Sequence, residues 1–133
     1  MISHVFIGVG DFARACEFYT NVMGELGLVQ KFCDPATPWA GWQAPGVARP
    51  LFVICHPYDG RAHAPGNGQL VALLAPSRAA VDRVHAAALA AGGSNEGLPG
   101  LRPHYHENYY GAYFRDLDGN KLCVCLHDPE SAS

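Results

Sequence analysis

The chain has 133 residues, a length typical of one domain, and 49% of them are hydrophobic, which is enough for a substantial core. A charged fraction of 16% and a net charge of −3 indicate a soluble globular protein without the basic surface that binds nucleic acid. We expect no membrane partner, because no apolar run approaches the roughly 20 residues of a membrane-spanning helix. We also expect no signal peptide, since a strand pattern begins directly after Met1. The five cysteines are an odd number without zinc-ribbon spacing, and they favour a cytoplasmic protein with reduced thiols.

The first half of the chain predicts a strand, a helix and three further strands. Apolar residues alternate at Val5, Ile7 and Val9, as in a strand with two different faces. Asp11 can then cap a helix whose apolar residues recur at helical spacing as far as Leu26. The three extended segments that follow are 28–33, 40–43 and 51–55.

The second half repeats this order after a connection at 56–68 that contains two prolines and three glycines. A strand is predicted at 70–74, and Ser77 can cap a helix that ends at Gly92. Glycines and prolines between 97 and 103 predict a loop. The final hairpin is predicted from strands at 109–115 and 121–127, joined by the turn signal Asp118-Gly119.

An internal repeat organises the whole chain. Placing His4 over Leu70 superposes strand on strand and one helix cap on the other. The sequence therefore predicts an α+β protein with a single domain at 1–133. Its first βαβββ module is expected at 1–58 and its second at 68–128.

Three segments resemble proteins of the vicinal oxygen chelate superfamily. They are the opening strand and helix at 4–19, the start of the second module at 66–82, and the closing hairpin at 114–122. The superfamily includes glyoxalase I, bleomycin-resistance proteins and extradiol dioxygenases. The resemblance implies that the sheets of the two modules curl around a shared cavity, with the helices outside. It is less specific for activity, because one scaffold carries many functions.

Within this implied architecture, the alternation of residues assigns two faces to the strands. The residues expected to face the helices are Val5, Ile7, Val71, Leu73, Leu122 and Val124. Those expected to face the cavity are His4, Phe6, Leu70, Ala72, Cys123 and Cys125.

The resemblance also implies a place for a divalent metal ion. In catalytic members one ligand is commonly a His on the first strand, which His4 matches. The second is commonly a His where this chain has Leu70, and the third a Glu where it has Cys123. A fourth ligand of some members would lie at 51–55, which contains no carboxylate. One matching ligand of three suits a hard divalent ion poorly, so we expect no metal cofactor; an ion that did bind would lie near His4 and Cys123.

The sequence Cys-Val-Cys-Leu-His at 123–127 has two interpretations. In the first, Cys123 and His4, with Cys125 or Gln69 as a further ligand, hold a softer metal such as zinc. We favour the alternative, in which His4 is a pocket histidine and the cysteines are small apolar fillers, because free cysteine is among the most buried residue types.

The segment 103–110 is the densest cluster of polar and aromatic residues. His104 or His106 could act as an acid or base, and its tyrosines, Tyr110 among them, could contact a ligand. The alternative, which we favour slightly, is an ordered loop that covers one end of the cavity.

Other candidates have structural explanations beside functional ones. Arg61 and His63 could meet an anionic substrate, but residues of a solvated connection are more often found there. Trp39 and Trp42 suit a cavity wall and ordinary core equally well. The remaining candidates are better explained by structure: His85 by the helix core, and Asp116 and Asp118 by the turn.

Two classes of function remain open for a glyoxalase/bleomycin-resistance-like protein. The first is a binder of a small molecule in the cavity between the modules, with a degraded metal site. The second is an enzyme: a divergent metal-dependent lyase, isomerase or dioxygenase. We favour the binder and expect a homodimer. The expected ligand-binding residues are His4, Phe6, Trp42, Leu70, His106, Tyr110 and Cys123.

Overall fold

Eight strands and two helices follow one another in the order that the repeat predicts, within residues 1–130, which the computed structural model describes. The predicted domain limit at 133 lies outside the described residues. The first module contains β1 (His4–Gly8), α1 (Phe12–Glu25), β2 (Val29–Asp34), β3 (Trp39–Gln43) and β4 (Leu51–Cys55). The second contains β5 (Val71–Leu74), α2 (Arg78–Ala90), β6 (Ser94–Leu101), β7 (Tyr110–Arg115) and β8 (Lys121–Leu126).

The strands form two four-stranded mixed sheets of the same topology. The first sheet has the order β1-β4-β3-β2, and the second has the order β5-β8-β7-β6. In each sheet the first and last strands of the module run parallel, and the other neighbours run antiparallel. The predicted α+β class with two βαβββ modules is confirmed. In the described part of the chain no Cα of β1 lies within 8 Å of a Cα of β5, so the two sheets do not join into one.

Both helices begin and end where the sequence predicts. The Asp11 carboxylate accepts a hydrogen bond from the backbone N–H of Arg14 at 3.2 Å, and the Ser77 hydroxyl accepts one from Ala80 at 3.0 Å. These bonds satisfy N–H groups that lack a partner inside the helix. Gly27, with a φ of +72°, follows the end of α1, where a left-handed residue turns the chain away.

The prediction of a loop between 97 and 103 is wrong, because residues 97–101 belong to β6. Its pairing with β7 is interrupted twice, between Asn95 and Gly97 and between Gly97 and Gly100. Pro99 is tolerated because β6 lies at the edge of its sheet, where the missing N–H breaks no ladder on the outer side. The glycines and the proline of this segment therefore indicate an irregular edge strand and not a loop.

The core lies between the sheets and the two helices. Its largest fully buried side chains include Tyr19 and Phe18 of α1 and Phe114 of β7. The side chains expected to face the helices do so: Val5, Ile7, Val71 and Leu73 pack against this core, and Leu122 and Val124 belong to it. His85 of α2 is also a buried core residue, and its Nε2 lies 3.0 Å from Oδ1 of Asn95.

A buried carboxylate joins α1 of the first module to the final hairpin of the second. One oxygen of Asp116 accepts hydrogen bonds from the Tyr19 hydroxyl and the Asn120 side chain, and the other accepts the backbone N–H groups of Asp118 and Asn120. The turn alone does not explain Asp116, because its bond to Tyr19 spans 97 positions of the chain.

The same hairpin turn contacts the end of β1. The Asn120 side chain donates to the Gly8 carbonyl at 2.9 Å, and the Gly10 N–H donates to Asp118 at 2.8 Å. His63 completes this junction, because its Nε2 lies 2.8 Å from Oδ1 of Asn120. The expectation that His63 is a solvated connection residue is therefore wrong, and the junction holds the modules in a set orientation.

Candidate functional site

A cleft opens between the modules beside β1 and the start of β8. Its volume is about 690 Å³, within the range of pockets that hold small molecules. Phe6 of β1 and Leu70, which precedes β5, contribute apolar walls from different modules. Both side chains are well exposed, at 57% for Phe6 and 42% for Leu70, which is unusual for large apolar residues on neighbouring surfaces.

Polar groups line the other side of this cleft. Gln69, Asn120 and Lys121 lie along it, with the glycine-rich stretch 66–68. His63 closes its end against Gly8, where a Cβ would lie only 2.3 Å from the imidazole Nδ1. Gly8 is therefore required for the histidine to pack there. The cleft combines an apolar wall with an amide and an ammonium group.

A second feature lies on the inner face of the second sheet, which is the face turned away from the helices. We call it the sulfur–aromatic cluster, and it consists of His106, Tyr109, Tyr113, Cys123, Cys125 and His127. Strand register places Tyr113 beside Cys123, so these side chains share one face. Both cysteines of the Cys-Val-Cys-Leu-His segment are buried, as expected of apolar fillers. Each also has a polar neighbour, Tyr109 for Cys123 and His127 for Cys125.

The cluster is connected by close contacts between heavy atoms. The Tyr109 hydroxyl lies 3.3 Å from the Cys123 sulfur and 3.0 Å from the Tyr113 hydroxyl. The Cys125 sulfur lies 3.7 Å from Nε2 of His127. The other ring nitrogen of His127 lies 3.0 Å from Nε2 of His106.

The pKa values of the two thiols in the cluster are shifted in opposite directions. Hydrogen bonding from Cys123 lowers the pKa of Cys125 to about 6, and the nearby His127 acts in the same direction. The same bond, followed by burial, raises the pKa of Cys123 far above its usual range. Burial also raises the pKa of Tyr109, which keeps this hydroxyl protonated as a donor. The opposite shifts mean that Cys125 loses its proton before Cys123 as the pH rises.

The residues at the family's ligand positions do not fit a divalent metal ion. His4 is exposed, and its Nδ1 lies 2.9 Å from the Ser3 hydroxyl. Leu70 offers no donor, and Cys123 is buried against Tyr109. Within residues 1–130, no group of three or more His, Cys, Asp or Glu side chains is arranged to hold a metal.

The expected binding residues are distributed over several places. Phe6 and Leu70 meet in the cleft, whereas His106 and Cys123 belong to the sulfur–aromatic cluster. His4 lies on the inner face beside Phe6, with 4.9 Å between the ring centroids.

Trp42 and Tyr110, which were expected to contact a ligand, face the helix side of their sheets. Trp42 packs near the Tyr19 ring and lines a smaller apolar cavity of about 240 Å³, to which both modules contribute residues. The Tyr110 hydroxyl donates to Asp82 of α2 at 2.7 Å.

Trp39 and Tyr109 lie on the inner faces of the sheets. Trp39 alternates with Trp42 on β3, and its ring lies 4.8 Å from Phe32. Sequence reasoning also missed Lys121 and Gln69 as cleft residues. Lys121 has the same parity on β8 as Cys123 and was therefore within reach of the alternation argument, whereas Gln69 lies outside any strand.

Paired βαβββ modules of this topology define a protein of the vicinal oxygen chelate class. Residues 1–124 match the family described as the Glyoxalase/Bleomycin resistance protein/Dioxygenase superfamily, and the chain belongs to this superfamily. No curated protein matches the chain.

Solved structures show the same fold. A glyoxalase/bleomycin resistance protein from Albidiferax ferrireducens T118 is 34% identical, with a TM-score of 0.85 over 95% of this chain and 98% of that one. A glyoxalase-related enzyme from Fulvimarina pelagi is 19% identical, with a TM-score of 0.71 over 95% and 87% of the two chains. A lactoylglutathione lyase from Agrobacterium tumefaciens is also 19% identical, with a TM-score of 0.65 over 95% and 92%. The last two show the fold alone.

Proposed function

We propose that this protein binds a small molecule in the cleft between its modules and has lost the metal site of its catalytic relatives. The observation that carries the proposal is the pairing of exposed Phe6 and Leu70 across a cleft of about 690 Å³. A bound molecule with an apolar body would cover both side chains and remove them from water. Burying about 100 Å² of apolar surface in this way contributes roughly 2.5 kcal/mol.

The polar side of the cleft supports a ligand that also carries an acceptor group. Lys121 offers an ammonium and Gln69 an amide, and both lie along the cleft opposite its apolar wall. An apolar surface with a few polar groups is the usual composition of a ligand pocket, in which the polar groups orient the molecule. A small aromatic or aliphatic carboxylate has the matching chemistry.

The test is a thermal-shift screen of small carboxylates against the full chain. Compounds that raise Tm should do so by the mass action of binding to the folded state. Leu70→Trp fills the cleft and should abolish the shift. Leu98→Trp is the matched control, because Leu98 is an exposed leucine on the edge strand β6, outside the cleft. Shifts of equal size in both variants would place the binding site elsewhere.

The metal-dependent alternative makes a separate prediction. A lyase, isomerase or dioxygenase of this family would need donors that Leu70 and Cys123 do not supply in the usual form. Elemental analysis of tag-free protein should give far less than one nickel, iron, manganese or zinc ion per chain. About one ion per chain, lost on His4→Ala, would support the enzyme instead.

A homodimer is part of the proposed function. Members of this superfamily often form dimers. Exposed apolar side chains outside the cleft, including the 71% exposed Leu74, offer surface that a second copy can cover. Light scattering at tens of micromolar protein should give twice the chain mass, and a monomer at this concentration would contradict the proposal.

The proposed location is the cytoplasm, because a reducing compartment keeps all five cysteines as thiols. No helix within residues 1–130 is both long enough and apolar enough to cross a membrane.

A further inference from the structure

Two cysteines of the first module lie in contact on the outer side of the sheet. Cys16 is on α1 and Cys33 is on β2, and their sulfur atoms are 3.8 Å apart. They are 17 positions apart in the chain, so the contact depends on α1 packing over the sheet. Both are free thiols.

The local structure holds the two sulfurs toward each other. Register pairs Cys33 with Ala40, a fully buried residue on the helix side of the sheet, so Cys33 also points toward α1. The Gln30 side-chain amide lies 3.8 Å from the Cys16 sulfur and closes the pair on another side. Thr20 donates to the Cys16 carbonyl at 2.7 Å within the helix, which reinforces this turn of α1.

The pair differs from the other thiols in access to solvent. Cys33 is exposed and Cys16 is half-buried, whereas Cys123 and Cys125 are buried on the inner face. A dissolved oxidant therefore reaches Cys33 first, and the Cys16 thiol lies in contact with it. An accessible cysteine next to a resolving cysteine is the arrangement found in thiol-based oxidation sites.

We propose that Cys16 and Cys33 form an oxidation site in which a hydroperoxide converts the two thiols into an intramolecular disulfide. In the first step the Cys33 sulfur attacks the peroxide; an S–O bond forms, the O–O bond breaks, and an alcohol or water leaves. The product is a sulfenic acid at Cys33. In the second step the Cys16 sulfur attacks that sulfur; the S–S bond forms, the S–O bond breaks, and the hydroxyl leaves as water with the proton of Cys16. The two sulfurs lose two electrons and the hydroperoxide gains them.

Little movement separates the thiol pair from the disulfide. An S–S bond is about 2.05 Å long, so each sulfur must move by roughly 0.9 Å from its present place, which a side-chain rotation supplies. The bond would fasten β2, the edge strand of the first sheet, to α1. It would close a loop in the unfolded chain and so raise the stability of the oxidised form.

In the experiment, the reduced full chain is treated with equimolar hydrogen peroxide and the remaining free thiols are then blocked. The protein is digested without reduction, and the peptides are identified by mass spectrometry. The expected product is one peptide pair linked through Cys16 and Cys33, lighter by two hydrogen atoms and released by dithiothreitol. Cys33→Ser should abolish it and leave the fold unchanged by circular dichroism. Cys55→Ser is the matched control and should form the link as wild type does, since Cys55 is a half-buried thiol of the same module.

Three further results decide the proposal. Oxidised wild type should melt at a higher temperature than reduced wild type, and Cys16→Ser should show no such rise. A mixture of isotope-labelled and unlabelled chains should give no hybrid linked peptides, because the bond forms within one chain. The proposal is overturned if both thiols are recovered unlinked, if hybrid peptides dominate, or if chain unfolded in guanidinium forms the same link as fast as the native protein does.

Discussion

Replacing Tyr19 by phenylalanine removes one buried hydrogen bond between the modules and little else. The Tyr19 hydroxyl donates to Asp116 of the closing hairpin, and both residues are buried. Burial, followed by the charge of Asp116, raises the pKa of Tyr19 well above its usual range, so the hydroxyl remains a donor throughout the neutral range. The phenyl ring of the variant can keep the contacts that Tyr19 makes with Phe18 and Phe52.

The size of the effect follows from the remaining partners of Asp116. Its carboxylate keeps the two backbone N–H groups and the Asn120 amide, so it loses one donor without becoming unpaired. A hydrogen bond to a charged group contributes roughly 1.5–3 kcal/mol, and we expect Tyr19→Phe to lower the free energy of unfolding by about 2 kcal/mol. For a chain of this length that corresponds to a fall in Tm of roughly 8 °C.

Urea unfolding followed by circular dichroism measures this change. The midpoint should fall while the slope m stays the same, because the buried surface is unchanged. Tyr110→Phe is the matched control: it removes a Tyr–Asp bond of 2.7 Å that lies near solvent, and should cost about 1 kcal/mol or less. Equal losses in the two variants, or a Tyr19→Phe protein within about 0.5 kcal/mol of wild type, would refute the reasoning.

Three other properties can be measured on the same preparations. The ultraviolet absorbance of thiolate should rise through a midpoint of about 6 as Cys123 stabilises ionised Cys125, and Cys125→Ser should remove that step; a first midpoint near the ordinary value of about 8.5 would contradict this. The bond to Asp82 raises the pKa of Tyr110 to about 12, so the stability difference between wild type and Tyr110→Phe should be constant below about pH 10 and shrink as the pH rises through 12. Gly24→Ala should stabilise the protein by about 0.5 kcal/mol, because Gly24 lies in the last turn of α1 and a Cβ there meets nothing within 4 Å. Gly93→Ala should destabilise it by about 2 kcal/mol, because a Cβ would lie 2.6 and 2.9 Å from backbone oxygens. Denaturant midpoints that moved both glycine variants in the same direction would be inconsistent with these contacts.

Local patterns in the sequence determined most of the secondary structure. Asp11 and Ser77 cap the helices through bonds to N–H groups three residues away, so the signal and its effect lie in the same short segment. The alternation along β1 and β8 likewise sorted core residues from inner-face residues, because a strand has only two faces. The repeat and the family resemblance then supplied the pairing of modules.

The same local reasoning failed where register or an edge decided the outcome. Trp42 and Tyr110 were expected to contact a ligand without an argument from alternation, and strand register directs both side chains toward the helices. The segment 97–103 has the composition of a loop, and only its position beside β7 makes it a strand. Such positions depend on partners that are distant in the sequence.

The candidate site itself was decided by tertiary structure. The sequence predicted that Phe6 and Leu70 face the cavity from the first strand of each module. Their common cleft depends on how the modules are oriented, and contacts such as that between Tyr19 and Asp116 hold this orientation. The sequence also showed five cysteines without a recognisable spacing. The contact between Cys16 and Cys33, and that between Cys125 and His127, arise from the packing of α1 on its sheet and from the register of β8. The pattern of residues along a strand predicts which face of the sheet a side chain takes. A site, however, forms only where side chains from distant segments come into contact, and the packing of the whole chain determines the distance between them.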